Sequence, residues 1–230
     1  MSPKVWSTFS SGGTKLRILD APADRVDEAI NFYIDNYLTE EPITKASGIP
    51  KNAEAIAEYR SFTSQELKNV TQLNVMLCGI DNGDDNMGDI IGVSLSSLTT
   101  AGQPFDMKIN PKTNEVQKLF EMWGNMMTKY DIFKEQNVNK SIECMGMIVH
   151  PKYSGLGIAE EFLKARRLLC KEKGAEVTSA WQSSIESQKA AEREGYETVY
   201  EISFEELGKQ AGVTFENVPK MCKLMMAKRL

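Results

Sequence analysis

Apolar residues alternate with polar ones in short runs and recur at three- and four-residue spacing in longer ones, so strands and helices interleave along the chain. The clearest unit runs from Ser141 to Lys173. Ser141 to Val149 reads as a buried strand, and Pro151, which cannot donate a ladder hydrogen bond, marks its end. Tyr153-Ser154-Gly155-Leu156-Gly157 follows as a glycine-rich turn. Beyond it Ile158, Phe162, Ala165, Leu168 and Leu169 repeat at helical spacing, with Glu160, Glu161, Lys164 and Arg167 on the other face.

On the N-terminal side, Met1 to Gly13 is expected to be a flexible leader, with a single domain from 14 to 230. Lys15 to Asp20 is a first strand, and Ala21-Pro22-Ala23-Asp24 opens a helix that buries Val26, Ile30, Phe32, Tyr33 and Tyr37 and is stopped by Pro42. A second helix of about fifteen residues begins after Asn52. Gln72 to Ile80 and Ile90 to Leu98 form a hairpin across the acidic turn Asp81 to Asp89. That turn, with Asp81, Asp84, Asp85 and Asp89, lacks the closing Glu of a calcium loop. Thr99 to Lys112 is a loop and Val116 to Phe133 a helix rich in Met and aromatic residues, which reads as core or as a pliant wall for an apolar substrate. On the C-terminal side come a strand from Ala175 to Trp181, a helix from Ser184 to Glu194, a strand from Tyr196 to Phe204, a linker from Gly208 to Pro219 and a last strand from Met221 to Lys228.

Composition narrows the function more than the fold. At 230 residues and 41% hydrophobic content the chain can bury an ordinary core. Its net charge of −5 supplies no global positive field for nucleic acid or an anionic membrane, so an anionic ligand must be held by local groups while a cationic substrate is favoured. No apolar run reaches the length of a membrane span. His150 is the single histidine, which excludes multi-His metal sites; it reads as a turn or surface residue, with a base near a thioester as the alternative. Cys78, Cys144, Cys170 and Cys222 form no C-x-x-C pair and, without a signal peptide, read as reduced structural thiols of a cytoplasmic protein.

The turn at Tyr153–Gly157 carries the chemistry. The first N–H groups of a helix have no internal partner, and glycines let a phosphate approach them, so Ser154 to Ala159 form a candidate anion site; a plain strand-to-helix turn is the alternative. The run Pro-Lys-Tyr-Ser-Gly-Leu-Gly-Ile-Ala resembles the acetyl-CoA signature of the GNAT acetyltransferase superfamily, [Q/R]-x-x-G-x-[G/A], and is most similar to that of the insect arylalkylamine N-acetyltransferases. Ser154 stands where the family has Arg or Gln and offers a hydroxyl without a charge.

The resemblance implies a mixed α/β fold, the GNAT acyl-CoA N-acyltransferase architecture, whose central mixed sheet splays at the strand Ser141–Val149 between flanking helices. It implies acetyl-CoA as cosubstrate and no metal. Main-chain groups of Met147, Ile148 and Val149 would pair with the pantetheine arm, and Ser154, Gly155, Leu156, Gly157, Ile158 and Ala159 would take the pyrophosphate. Glu-Glu-Pro-Ile at 40–43 is similar to the family's Glu-Pro-Leu segment, which makes Glu41 the candidate base, its pKa raised by Glu40. Ser183, Ser184 and Ser187 resemble the family's Ser-x-x-Ser segment ahead of Gly195-Tyr196, and could bind amine, water or the departing sulfur, or cap a helix. The tyrosine that many GNAT enzymes use as acid is Ala191 here, so a serine hydroxyl or water would supply that proton. The expected acceptor is the primary amine of a small arylalkylamine of the dopamine, serotonin, tyramine or octopamine type. A polyamine or alkylamine, or a binding module that holds acyl-CoA without turnover, are the alternatives, and whether the chain acts as monomer or homodimer is open.

Overall fold

The computed structural model describes residues 3–70, 73–83, 87–103 and 110–230. Gln72 of the expected strand, Asp84 and Asp85 of the acidic turn, and 104–109 of the expected loop lie outside the described residues.

One eight-stranded sheet organises the chain, in the order β1-β2-β3-β4-β5-β6-β8-β7. Its strands are β1 (Val5–Ser11), β2 (Thr14–Asp20), β3 (Leu73–Ile80), β4 (Ile90–Thr100), β5 (Lys140–Val149), β6 (Val177–Gln182), β7 (Glu197–Ser203) and β8 (Met221–Lys228). β1 to β5 run antiparallel in sequence order, β5 and β6 are parallel, and β8 pairs antiparallel between β6 and β7. Around it lie α1 (Val26–Glu40), α2 (Pro42–Ser47), α3 (Ala53–Asn69), α4 (Asn114–Met127), α5 (Ile132–Gln136), α6 (Ile158–Lys173), α7 (Ile185–Arg193) and α8 (Phe204–Ala211).

Alternation along the strands divides the core between two faces. Val75, Leu77, Val93 and Leu95 turn toward α1, α2, α3, α4 and α8, while Leu16, Ile18, Met76, Cys78 and Ile142 turn toward α6. Phe162 and Leu169 hold α6 in place; each is 2% exposed or less, and burial of one such side chain contributes about 2 kcal/mol.

Several expectations need correcting. Val5–Ser11, expected within the flexible leader, is an edge strand paired with β2, because Trp6 and Phe9 pack on the α6-side core. Pro42 ends one helix and begins another: it sits at the first position of α2, where its missing N–H removes no hydrogen bond. The helix expected over Val116 to Phe133 breaks at 128–131, where Asp131 caps a separate short helix through its side chain. Within the stretch expected as strand end and linker, Ser203 caps α8, which buries Phe204, Leu207 and Ala211.

The feature that makes a site is a gap in the sheet. β5 pairs with β6 only over Ser141–Glu143 against Val177–Ser179. Just beyond, the register with β4 slips between Cys144, opposite Ser96, and Gly146, opposite Leu95, so Met145 is bulged. A bulge bends the strand that carries it, and the remainder of β5 parts from β6. Tyr33 of α1 lies over this point: a Cβ on Gly146 would stand 2.3 Å from its hydroxyl oxygen, so only glycine admits this approach.

Candidate functional site

The two walls of the gap differ. Along β5, His150 N–H bonds to Ile91 on β4, and the alternation of an antiparallel ladder then turns the peptide groups of Ile148 toward β4 as well. The peptide groups of Met147 and Val149 therefore face the gap, offering a strand edge to an extended guest. Of the three expected there, Ile148 turns its backbone to β4 and packs its half-buried side chain against the α1-side core.

At the end of β5 the chain makes a short 3₁₀ turn, Pro151–Tyr153, with His150 at its start accepting the Lys152 N–H on Nδ1. His150 is thus a turn residue. Ser154, exposed, leads into Gly155 and Gly157, both in the left-handed region at φ 78° and 76°. Nothing lies within 4 Å of where a Cβ would project from either glycine. The first intrahelical bond of α6 is Glu161 N–H to the Gly157 carbonyl, so the N–H groups of Ile158, Ala159 and Glu160 have no acceptor among the described residues. Two acidic side chains in this first turn would oppose an anion, but both are engaged. Glu160 pairs with Arg193 at 2.8 Å, and Glu161 accepts from Ser7. Open space, unpaired amides and the positive end of a helix dipole fit a diphosphate, held by backbone rather than by basic side chains.

Glu41 occupies the joint between two helices: it ends α1 and is the N-cap of α2. Its carboxylate is 5% exposed and receives three hydrogen bonds. Oε2 accepts from the Thr44 backbone N–H at 2.6 Å and from its hydroxyl at 2.8 Å, while Oε1 accepts from Ser183 Oγ at 2.8 Å. Burial pushes the Glu41 pKa up, and the bonds from Thr44 and Ser183 pull against it. Glu40, expected to raise that pKa by repulsion, points out to solvent, and burial is the cause instead. Tyr37 and Tyr59, buried beside Glu41, have their own pKa values pushed up by burial and stay protonated at neutral pH.

The three candidate serines separate. Ser183, just past the end of β6, reaches Glu41. Ser184 and Ser187 close a capping box on α7: each accepts a backbone N–H from the other, at 3.1 and 3.3 Å. The structure therefore brings Ser183 to Glu41 and assigns the other two to the helix end. Thr44 was missed by sequence reasoning, and Tyr33 was read only as a core position of its helix. An acidic residue followed by proline and a threonine three positions on is a helix-start signature, which could have revealed α2 and with it Thr44.

No protein-family model matches the chain, and no curated protein matches it in sequence. Solved structures do. A protein of the yellow fever mosquito Aedes aegypti assigned as arylalkylamine N-acetyltransferase 7 superposes with a TM-score of 0.84 at 24% identity, covering 99% of this chain and 96% of that one. Arylalkylamine N-acetyltransferase 2 from Aedes aegypti gives 0.71 at 18% identity over 94% and 99% of the two chains. A Drosophila melanogaster polyamine N-acetyltransferase, which catalyses formation of N-acetylagmatine, gives 0.68 at 12% identity over 93% and 99%. The fold is that of the GNAT acetyltransferases, with its mixed sheet opened between β5 and β6.

Proposed function

We propose that the chain is an N-acetyltransferase that moves an acetyl group from acetyl-CoA to the primary amine of a small arylalkylamine. The observation that carries this reading is Glu41, a carboxylate 5% exposed whose pKa burial raises, placed by Ser183 at the C-terminal end of β6 beside the gap in the sheet. The likeness to amine acetyltransferases supports it as analogy of fold.

A primary alkylamine is mostly ammonium at neutral pH and has to lose a proton to become a nucleophile. Glu41 takes that proton, directly or through one water, and its raised pKa brings it closer to the working pH than an ordinary glutamate. Ser183 and Thr44 fix the carboxylate so that little reorganisation accompanies the transfer. The peptide groups of Met147 and Val149 orient the pantetheine arm, and the amides of Ile158 to Glu160, opened by Gly155 and Gly157, hold the pyrophosphate. The thioester supplies the activated acetyl group. With Ala191 buried at the position of the usual acid, the departing sulfur takes its proton from water or from Ser183.

A polyamine acceptor is the second reading, favoured by a half-buried carboxylate, Glu143, on the same face of the sheet. Acetyl-CoA binding by calorimetry together with amine-dependent release of CoA tests the proposal. Binding with release for tyramine-type amines is expected; binding without release for any amine would make the chain a carrier-binding module.

A further inference from the structure

Glu143 has no part in the chemistry above, yet its setting is specific. The register pairs it with Ser179 on β6 and Ser97 on β4, and paired residues present their side chains to the same face. On β6 that face continues at Trp181, which packs on the α1-side core and meets Tyr200 edge-on with ring centroids 6.2 Å apart. Two residues further it reaches Ser183, the partner of Glu41. A carboxylate, an indole and the Glu41–Ser183 pair thus stand in line.

Ser179 to Ser183 spans about 13 Å at the rise of a strand. A small amine with a second donor at its far end, such as tyramine or extended 1,5-diaminopentane, is of that order of length with a hydrogen bond added at each end. Thr99 Oγ1 lies 3.0 Å from Glu143 Oε1 and 3.2 Å from the Ser141 carbonyl, and among the described residues Oε2 accepts no hydrogen bond. Burial raises the Glu143 pKa, a sign that its charge is poorly solvated and that an added donor would be favourable.

We propose that Glu143 closes the far end of the acceptor site and selects amines that carry a second hydrogen-bond donor, a phenolic hydroxyl or a second ammonium, laid across Trp181. The inference rests on the reading of Glu41 as the base. Thr99 holds one oxygen of the carboxylate and leaves the other for the guest. The indole covers the apolar middle of the acceptor.

The test compares tyramine with phenethylamine and 1,5-diaminopentane with pentylamine, on the wild-type protein and on Glu143→Gln and Glu143→Leu, by CoA release and by calorimetric binding in the presence of CoA. The wild type is expected to prefer the donor-bearing member of one pair or both. Glu143→Leu should reduce that preference about tenfold or more through KM, and Glu143→Gln by less. Which pair responds identifies the donor. Release from the wild type with no preference, or with a preference untouched by both variants, would overturn the subsite alone. Binding preference without release would overturn the acetyltransferase reading and leave the subsite standing, and no binding of any of the four amines would overturn both.

Discussion

A glutamate buried to 5% exposure with three donors on its oxygens is under two opposed pulls, and burial prevails. Because its pKa is higher in the folded than in the unfolded chain, folding favours the protonated form. The stability this contributes is full at pH below the unfolded value and is lost as pH rises through the raised folded value. Glu41→Gln, which never ionises, should therefore gain in Tm relative to wild type as pH rises through that window; thermal melts at several pH values read this, and a constant difference would contradict it. Ser183→Ala removes a bond that holds the Glu41 pKa down. The acid limb of its pH–rate profile should move to higher pH, whereas a loss of rate with no such shift would mean that Ser183 acts elsewhere. Motif resemblance marked both residues in the sequence, and the structure joins them by a hydrogen bond. Thr44 was not marked, since its role depends on a short helix whose capping residue was read only as the end of the helix before it.

At the scale of the element, caps and close approaches set the costs. Ser184→Ala breaks the capping box of α7 and should lower stability by about 1 kcal/mol in chemical denaturation. Activity per folded molecule should be largely kept; a catalytic defect would reinstate Ser184 in the chemistry. Gly146→Ala drives a methyl into the Tyr33 ring and hydroxyl, 2.3 to 2.6 Å away, and should cost about 2 kcal/mol or more. Replacing Gly157, at φ 76°, with Val strains the turn by about 1–3 kcal/mol and fills the space left for the phosphates. KM for acetyl-CoA should rise while KM for the amine holds; an unchanged acetyl-CoA KM would remove that turn from the binding site. The elements the sequence concealed were those defined by distant partners. β1 is a strand because β2 pairs with it and the α6-side core accepts Trp6 and Phe9, and neither contact shows in its local Ser-rich composition.

On the scale of the whole molecule, strong periodicity made the strand, turn and helix from β5 to α6 readable, and the fold followed from the resemblance they carry. What no local pattern could give was the line of residues across the opened sheet. Glu41, the Trp181–Ser183 stretch and Glu143 come from three places in the chain and are aligned only through strand register and the Ser183–Glu41 hydrogen bond. No helix among the described residues is long and apolar enough to cross a membrane, and no group of His, Cys, Asp and Glu among them could hold a metal ion. The most direct measurement is the pH dependence of amine-dependent CoA release for wild type and Glu41→Gln. The account predicts a rate at neutral pH lower by about 100-fold or more in the variant, recovering as pH approaches the pKa of the free amine. Superimposable profiles for the two proteins would contradict it.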